Sequence, residues 1–187
     1  MEQRARIERA KQGDHAAFAE LVDGSIRRLD AAARLIVRDP DLAQDAVQNT
    51  LIRAWRDLPG LRDPDRFDAW LHRLTVNACL DLLRHRRRRP IEIELSPIDL
   101  MHTPDQANAV AERELLDAAL GRLDPGHRAV VALHYLLGMP LQEVASSLGI
   151  PYGTAKSRLH YALTAMRTDV RANAHSAATA VPGGQLA

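Results

Sequence analysis

The sequence predicts an all-α protein: two small helical domains joined by a flexible linker, the second ending in a helix-turn-helix. Three observations predict it. Apolar residues recur at steps of three and four along most of the chain, while strand-forming aromatics are sparse, with two Trp, three Tyr and two Phe in 187 residues. Residues 90–108, PIEIELSPIDLMHTPDQAN, carry three prolines, several acids and no helical stripe, which marks a break. Beyond that break, Leu141 to Arg167 places two amphipathic runs on either side of Leu148-Gly149-Ile150-Pro151. Gly149 suits a left-handed cap, and Pro151 cannot continue the first of these helices.

The elements follow in order. A first helix is expected over Glu2 to Lys11, stopped near Gly13, with Asp14 capping the next. From His15 to Val37 a stripe runs through Phe18, Leu21, Val22, Ile26, Leu29, Ala33 and Ile36. Arg38-Asp39-Pro40-Asp41 breaks it, and Asp39 or Asp41 caps a third helix over Leu42 to Leu58. That helix buries Leu42, Ala46, Leu51, Ala54, Trp55 and Leu58 and turns Asp45, Gln48, Asn49, Arg53 and Arg56 outward, a face that solvation alone would explain. A loop over Pro59 to Asp65 has Leu61 as its one large apolar residue. The fourth helix, Arg66 to Arg88, carries Phe67, Trp70, Leu71, Leu74, Ala78, Leu82 and Leu83 on one side. It ends in Arg84-His85-Arg86-Arg87-Arg88-Arg89, more positive charge than a helix dipole calls for, so an anion such as a polyphosphate backbone is its expected target. These elements make a first domain over residues 1–89.

Within the linker, Ile91, Ile93 and Leu95 alternate as a short strand would, but the prolines favour a tether. The second domain, residues 109–172, opens with a helix over Ala109 to Leu120. It restarts at Asp124-Pro125-Gly126-His127, runs through Val130, Val131, Leu133 and Leu137, and closes at Gly138. Leu141, Val144, Ala145 and Leu148 share one face of the next helix; Ala155, Leu159, Ala162, Leu163, Met166 and Val170 share one face of the last. The opposite face of that last helix carries Thr154, Lys156, Ser157, Arg158, His160 and Tyr161, with no acid. Such a face on the second of two short helices is the pattern of a helix that enters a major groove; a helical hairpin in a bundle has the same apolar spacing. Residues 173–187 are small and turn-forming, and a disordered tail is expected there.

Charge separates the parts. Residues 1–90 hold 18 basic and 14 acidic side chains, residues 91–120 one and seven, and residues 121–187 six and three. The one cysteine, Cys79, sits among apolar neighbours and reads as a packed thiol. The sequence has no phosphate-cradling glycine loop, no His-x-x-x-His pair and no nucleophile elbow; His127 and His134 are seven apart without a third ligand. No catalytic residue, cofactor, metal or small-molecule substrate is expected. Without a membrane-length apolar run or a signal-peptide core, no membrane span is expected and the cytoplasm is the expected compartment.

Four runs, in this order, resemble the bacterial RNA polymerase sigma factors of the small extracytoplasmic-function (ECF) class. They are Ala10-Lys-Gln-Gly13-Asp14-His-Ala-Ala-Phe18; Asp45-Ala-Val47-Gln48-Asn-Thr50-Leu-Ile-Arg53-Ala54-Trp55; Phe67 to Arg84; and Leu148-Gly149-Ile150-Pro151-Tyr-Gly153-Thr154-Ala-Lys156-Ser157-Arg158-Leu159. The resemblance implies a protein that binds core RNA polymerase and directs promoter recognition and transcription initiation. It implies that Asp45, Gln48, Asn49 and Arg53 dock on the polymerase. Leu61 and Arg62 would take a base flipped from the −10 element, an extrusion that costs a few kcal/mol of stacking. Asn77 would read that element, and Arg84, Arg86, Arg87 and Arg88 would hold its phosphates. In the second domain Lys156, Ser157, His160 and Tyr161 would face bases of the −35 element, with Thr154 and Arg158 on phosphates. The acidic linker would follow the RNA exit path, and an anti-sigma factor is a possible partner. This chain departs from the family in carrying Asn49 where an acid is usual, Leu51 where Phe is usual and Ala155 where Val is usual. A stand-alone helix-turn-helix regulator, with a sensor or dimerisation domain at its N-terminus, is the alternative reading of the same two-part chain.

Overall fold

A computed structural model describes residues 2–88 and 115–179, with side chains up to Arg86 in the first stretch and Asp169 in the second. The expected linker, residues 90–108, with its strand-like alternation, lies outside the described residues, as does Arg89. Every regular element described is helical. Helix α1 spans Glu2–Lys11, α2 His15–Val37, α3 Pro40–Asp57 and α4 Phe67–Arg88. Two single 3₁₀ turns, Leu58–Gly60 and Pro64–Arg66, shape the loop between α3 and α4. A short helix α5 covers 115–121. Helix α6, Pro125–Val131, continues into one π-helical turn, Ala132–Leu136, and is followed by α7, Leu141–Leu148, and α8, Tyr152–Thr179.

The caps explain the boundaries. Asp14 accepts a bond from the Ala17 amide at 3.0 Å at the start of α2. Asp39 accepts from the Asp41 and Leu42 amides at 3.1 and 3.0 Å, so of the two candidate aspartates it is Asp39 that starts α3. Helix α3 therefore begins at Pro40, where proline's missing N–H costs nothing. Asp124 caps α6 in the same way, accepting from Gly126 and His127. Helix α2 ends on Arg38 in the left-handed region (φ 57°), a conformation that disfavours a side chain bearing Cβ. Gly138 (φ 69°) and Gly149 (φ 63°) occupy the same region at the ends of the π turn and of α7, where glycine adopts it freely.

Helices α2, α3 and α4 pack on one another around Leu29, Ile36, Leu58, Phe67, Leu71 and Val76, all essentially inaccessible, with α1 adding Ile7. Thr50 and Thr75 are buried because each hydroxyl donates to a carbonyl one turn back, at Ala46 and Leu71. The second half contributes Val130, Leu133, Met139 and Val144 to this same core, through contacts of α2 with α6 and the π turn and of α4 with α7. The two halves thus pack on one another. Arg128, at the buried joint, donates from Nε to the Ile36 carbonyl at 2.8 Å and from Nη1 to Leu123 O. Arg38 spans the same joint with both carboxylate oxygens of Asp117 at 2.9 Å. A smaller cluster of Leu120, Leu123, Val131 and Ala162 seats α8.

One expectation is corrected. Helix α8 does not stop at 172; it runs to Thr179. The stretch Arg171 to Thr179 is Ala-rich and contains neither Gly nor Pro before Pro182, so helix propensity carries it on. Residues 180–187 lie outside the described residues.

Candidate nucleic-acid interface

The recognition face is built from the turn upward. The Gly149 and Ile150 amides reach back to Ser146 and Ala145 carbonyls, closing α7, and α8 starts at Tyr152 after the three-residue turn Gly149-Ile150-Pro151. Ala155 and Ala162 are fully buried and small, so α8 lies close against α6 and α7. Its opposite side then projects Lys156, Ser157, His160 and Tyr161 into solvent, Tyr161 with 60% of its surface free. The Ser157 hydroxyl donates to the Thr154 carbonyl at 3.0 Å, which leaves its lone pairs facing outward as acceptors.

Thr154 and Arg158 are half-buried. Arg158 leans on the first turn of α6: a Cβ placed on Gly126 would lie 3.2 Å from its Nη1. In that turn Asp124 also bonds His127 Nδ1, and the His127 ring packs against that of Tyr161 with centroids 4.8 Å apart and planes inclined by 45°. Burial alone would raise the Asp124 carboxyl; the bonds from His127 and from the His127 and Gly126 amides outweigh it and hold it below the usual range.

The second group of candidate residues lies at α4 and its preceding loop. Leu61 is half-buried against the core, whereas Arg62 is exposed. Asp63 accepts from the Asp65 amide at 3.1 Å within the loop, and Arg4 of α1 pairs with Asp65, so α1 steadies the loop. The loop opens onto a groove of about 480 Å³ shared by Leu61, Arg62, Trp70 and Arg73 on one side and Glu143 and Ser146 of α7 on the other. Asn77 is half-buried on α4. Arg84 is exposed and bonds Asp81 at 2.8 Å. Arg86 turns away from that side and bonds Asp39 at 2.8 Å, joining the last turn of α4 to the cap of α3. The backbone of Arg87 and Arg88 completes α4; their side chains lie outside the described residues.

On α3, Asp45, Gln48 and Asn49 are exposed on one face. Arg53 is drawn toward α4, 3.6 Å from Asp81. Two residues absent from the sequence-based set belong with these faces. Ile52, seven residues after Asp45, stands 65% exposed among the polar side chains, a position its spacing could have revealed. His127 meets Tyr161 only through the packing of α6 on α8, which no sequence pattern announces.

An acid-free exposed face in one half and an arginine-bearing helix end in the other are the candidate surfaces of a DNA-binding protein. The family comparisons narrow this class. Residues 21–89 match the model of sigma-70 region 2 and residues 113–166 that of sigma-70 region 4. The chain is 36% identical over 166 residues to the ECF RNA polymerase sigma factor SigL of Mycobacterium tuberculosis, covering 87% of this chain and 94% of that protein. It is 34% identical over 158 residues to the RNA polymerase sigma-E factor of Streptomyces avermitilis, covering 84% and 87%. Among solved structures it resembles CnrH in complex with the cytosolic domain of CnrY, with a TM-score of 0.67 and 29% identity over 92% of this chain and 99% of that one. The fold also matches the sigma factor RpoE bound to the anti-sigma factor NepR from Bartonella quintana, with a TM-score of 0.68 and 23% identity over 82% and 96%. The chain belongs to the sigma-70 family and is a sigma factor of the ECF class, a subunit that directs RNA polymerase to promoters.

Proposed function

We propose that the chain works in the cytoplasm as a promoter-specificity subunit without catalytic chemistry of its own, and that its residues divide the labour as follows. Asp45, Gln48, Asn49 and Ile52 make the contact with core RNA polymerase, with Arg53 braced behind them. Leu61, Arg62 and Asn77 act on the −10 element, and Arg84, Arg87 and Arg88 hold its phosphates, within a region-2 domain of residues 1–89. Lys156, Ser157, His160 and Tyr161 read the −35 element from a region-4 domain of residues 109–172. The observation that carries this reading is the first three turns of α8, which expose two basic-type side chains, a serine hydroxyl and two phenols with no acid among them.

Of the solved structures the chain resembles, one is a complex with the cytosolic domain of CnrY and another, of the same fold, a complex with the anti-sigma factor NepR, which supports an anti-sigma partner for this chain.

Run-off transcription on genomic fragments with purified core polymerase tests the assignment. Transcripts that require the chain are expected, and they should be lost on charge reversal at Arg87→Glu with Arg88→Glu. Specific gel shifts by the chain alone on a palindromic site, with no new transcript in the presence of core, would overturn it in favour of a stand-alone regulator.

A further inference from the structure

Among the described residues, the one aromatic contact between the exposed face of α8 and another element is that of Tyr161 with His127. We propose that His127, on the first turn of α6 and outside the helix-turn-helix, is a positioning residue that sets the −35 base preference by holding the Tyr161 ring. The proposal rests on the reading of α8 as the −35 helix. The His127 ring is itself oriented, since Nδ1 bonds the Asp124 carboxylate, whose other oxygen accepts from the Gly126 and His127 amides at 2.7 and 3.2 Å. That ring lies against Tyr161 at 4.8 Å, within the range of a favourable tilted aromatic pair. Gly126, next to it, leaves the space that the Arg158 guanidinium fills, so the same turn of α6 supports two neighbouring side chains of the recognition face.

The physical consequence concerns Tyr161. With 60% of its surface free it would otherwise sample several side-chain rotamers, and an unrestrained phenol discriminates poorly between bases. Packed at a tilt against a ring fixed from a second helix, it presents one edge and one hydroxyl direction to the groove. The cost of ordering it is then met on folding and not on binding, which is how preorganisation raises discrimination. His127 also keeps its Nε2 uncommitted to Asp124, but the inference does not require that atom to touch DNA.

The test uses holoenzyme, the full chain with core polymerase, on a promoter pool with a fixed −10 element and randomised −35 bases, reading the transcript distribution by sequencing. Tyr161→Ala identifies the base position that Tyr161 reads. His127→Gln, which can still bond Asp124 but has no ring, is expected to shift preference at that same position by about threefold to tenfold. His127→Phe, which restores a ring without its bond to Asp124, is expected to restore the preference at that position in part, and Tyr161→Ala with His127→Gln is expected to match Tyr161→Ala alone. Melting curves of the free variants accompany the assay, because the glutamine variant retains the cap bond and should stay folded. An unchanged distribution for His127→Gln overturns the proposal, as does a uniform loss across all sequences or a shift at a different position. If Tyr161→Ala itself leaves the distribution unchanged while transcription persists, the assignment of Tyr161 to the −35 element falls and the proposal falls with it; a failure at His127 alone leaves that assignment standing.

Discussion

Arg38 and Asp117 offer a direct measure of how firmly the two halves are joined. Arg38 ends α2 and Asp117 lies on α5, 79 positions apart, and Nη1 also donates to the Asp117 carbonyl at 3.0 Å. Their side chains keep only 18% and 20% of their surface exposed, so the pair sits between the nearly worthless surface ion pair and the fully desolvated one. A bidentate, charge-assisted contact in that setting should show a coupling of about 1.5 kcal/mol in a double-mutant cycle of Arg38→Ala and Asp117→Ala. At about 2–4 °C per kcal/mol for a chain of this size, that is a loss of roughly 3–6 °C in Tm if the halves melt together. Backbone strain can be separated from the pair. Arg38 has φ 57°, so Arg38→Gly loses the same contact as Arg38→Ala but regains about 1 kcal/mol of left-handed strain, and should melt higher than the alanine variant. Gly121→Ala adds a check from the far side, since its Cβ would lie 3.2 Å from Arg38 Cζ. It should destabilise the wild-type background and be nearly silent beside Arg38→Ala. Urea and thermal denaturation of the free chain supply the numbers. A coupling below about 0.3 kcal/mol, the level at which independent sites add, would refute the claim that this pair holds the halves together.

Four further outcomes follow from the interior and from the arginine run. His72 is buried, with Nδ1 facing no hydrogen-bond partner among the described residues. Burial pushes its pKa down, against the pull of Asp68 and with the push of Arg28. The native chain therefore carries a neutral ring while the unfolded chain takes up a proton near pH 6.5; stability should fall as the pH drops below that value, with a slope of at most about 1.4 kcal/mol per pH unit from this group. His72→Leu should flatten that part of the urea-midpoint profile between pH 7.5 and 5.5. Cys79 is buried and its thiol is pushed up to about 12 by desolvation, so iodoacetamide at pH 8 should label it only in denaturant, as mass spectrometry would show. Arg86→Gln should lower Tm by severing α4 from the cap of α3, about 1 kcal/mol or more, because burial alone would raise the Asp39 carboxyl and the Leu42 amide and Arg86 together hold it down. Arg84→Gln, whose exposed partner Asp81 lies one turn back on the same helix, should leave Tm unchanged and show its effect only in DNA binding.

The sequence by itself determined the helices, most of their ends and the turn of the helix-turn-helix, because these depend on local chemistry. The aspartates at 14, 39 and 124 cap the chain they begin, Gly149 adopts the conformation its neighbours need, and period-3.6 spacing marks the buried stripe of each helix. It also determined that Lys156, Ser157, His160 and Tyr161 face away from that stripe. Helix spacing says which side of a helix is buried, but not against what, and there the tertiary structure decided. It joined Val130, Leu133, Met139 and Val144 to the core of the first half. It turned Arg53, Arg86 and Arg158, three cations expected at interfaces, partly inward to Asp81, Asp39 and the first turn of α6, because a long charged side chain pairs with whatever opposite charge or open space lies within reach in three dimensions. And it set His127 beside Tyr161, 34 residues later in the chain, through the packing of α6 on α8 alone.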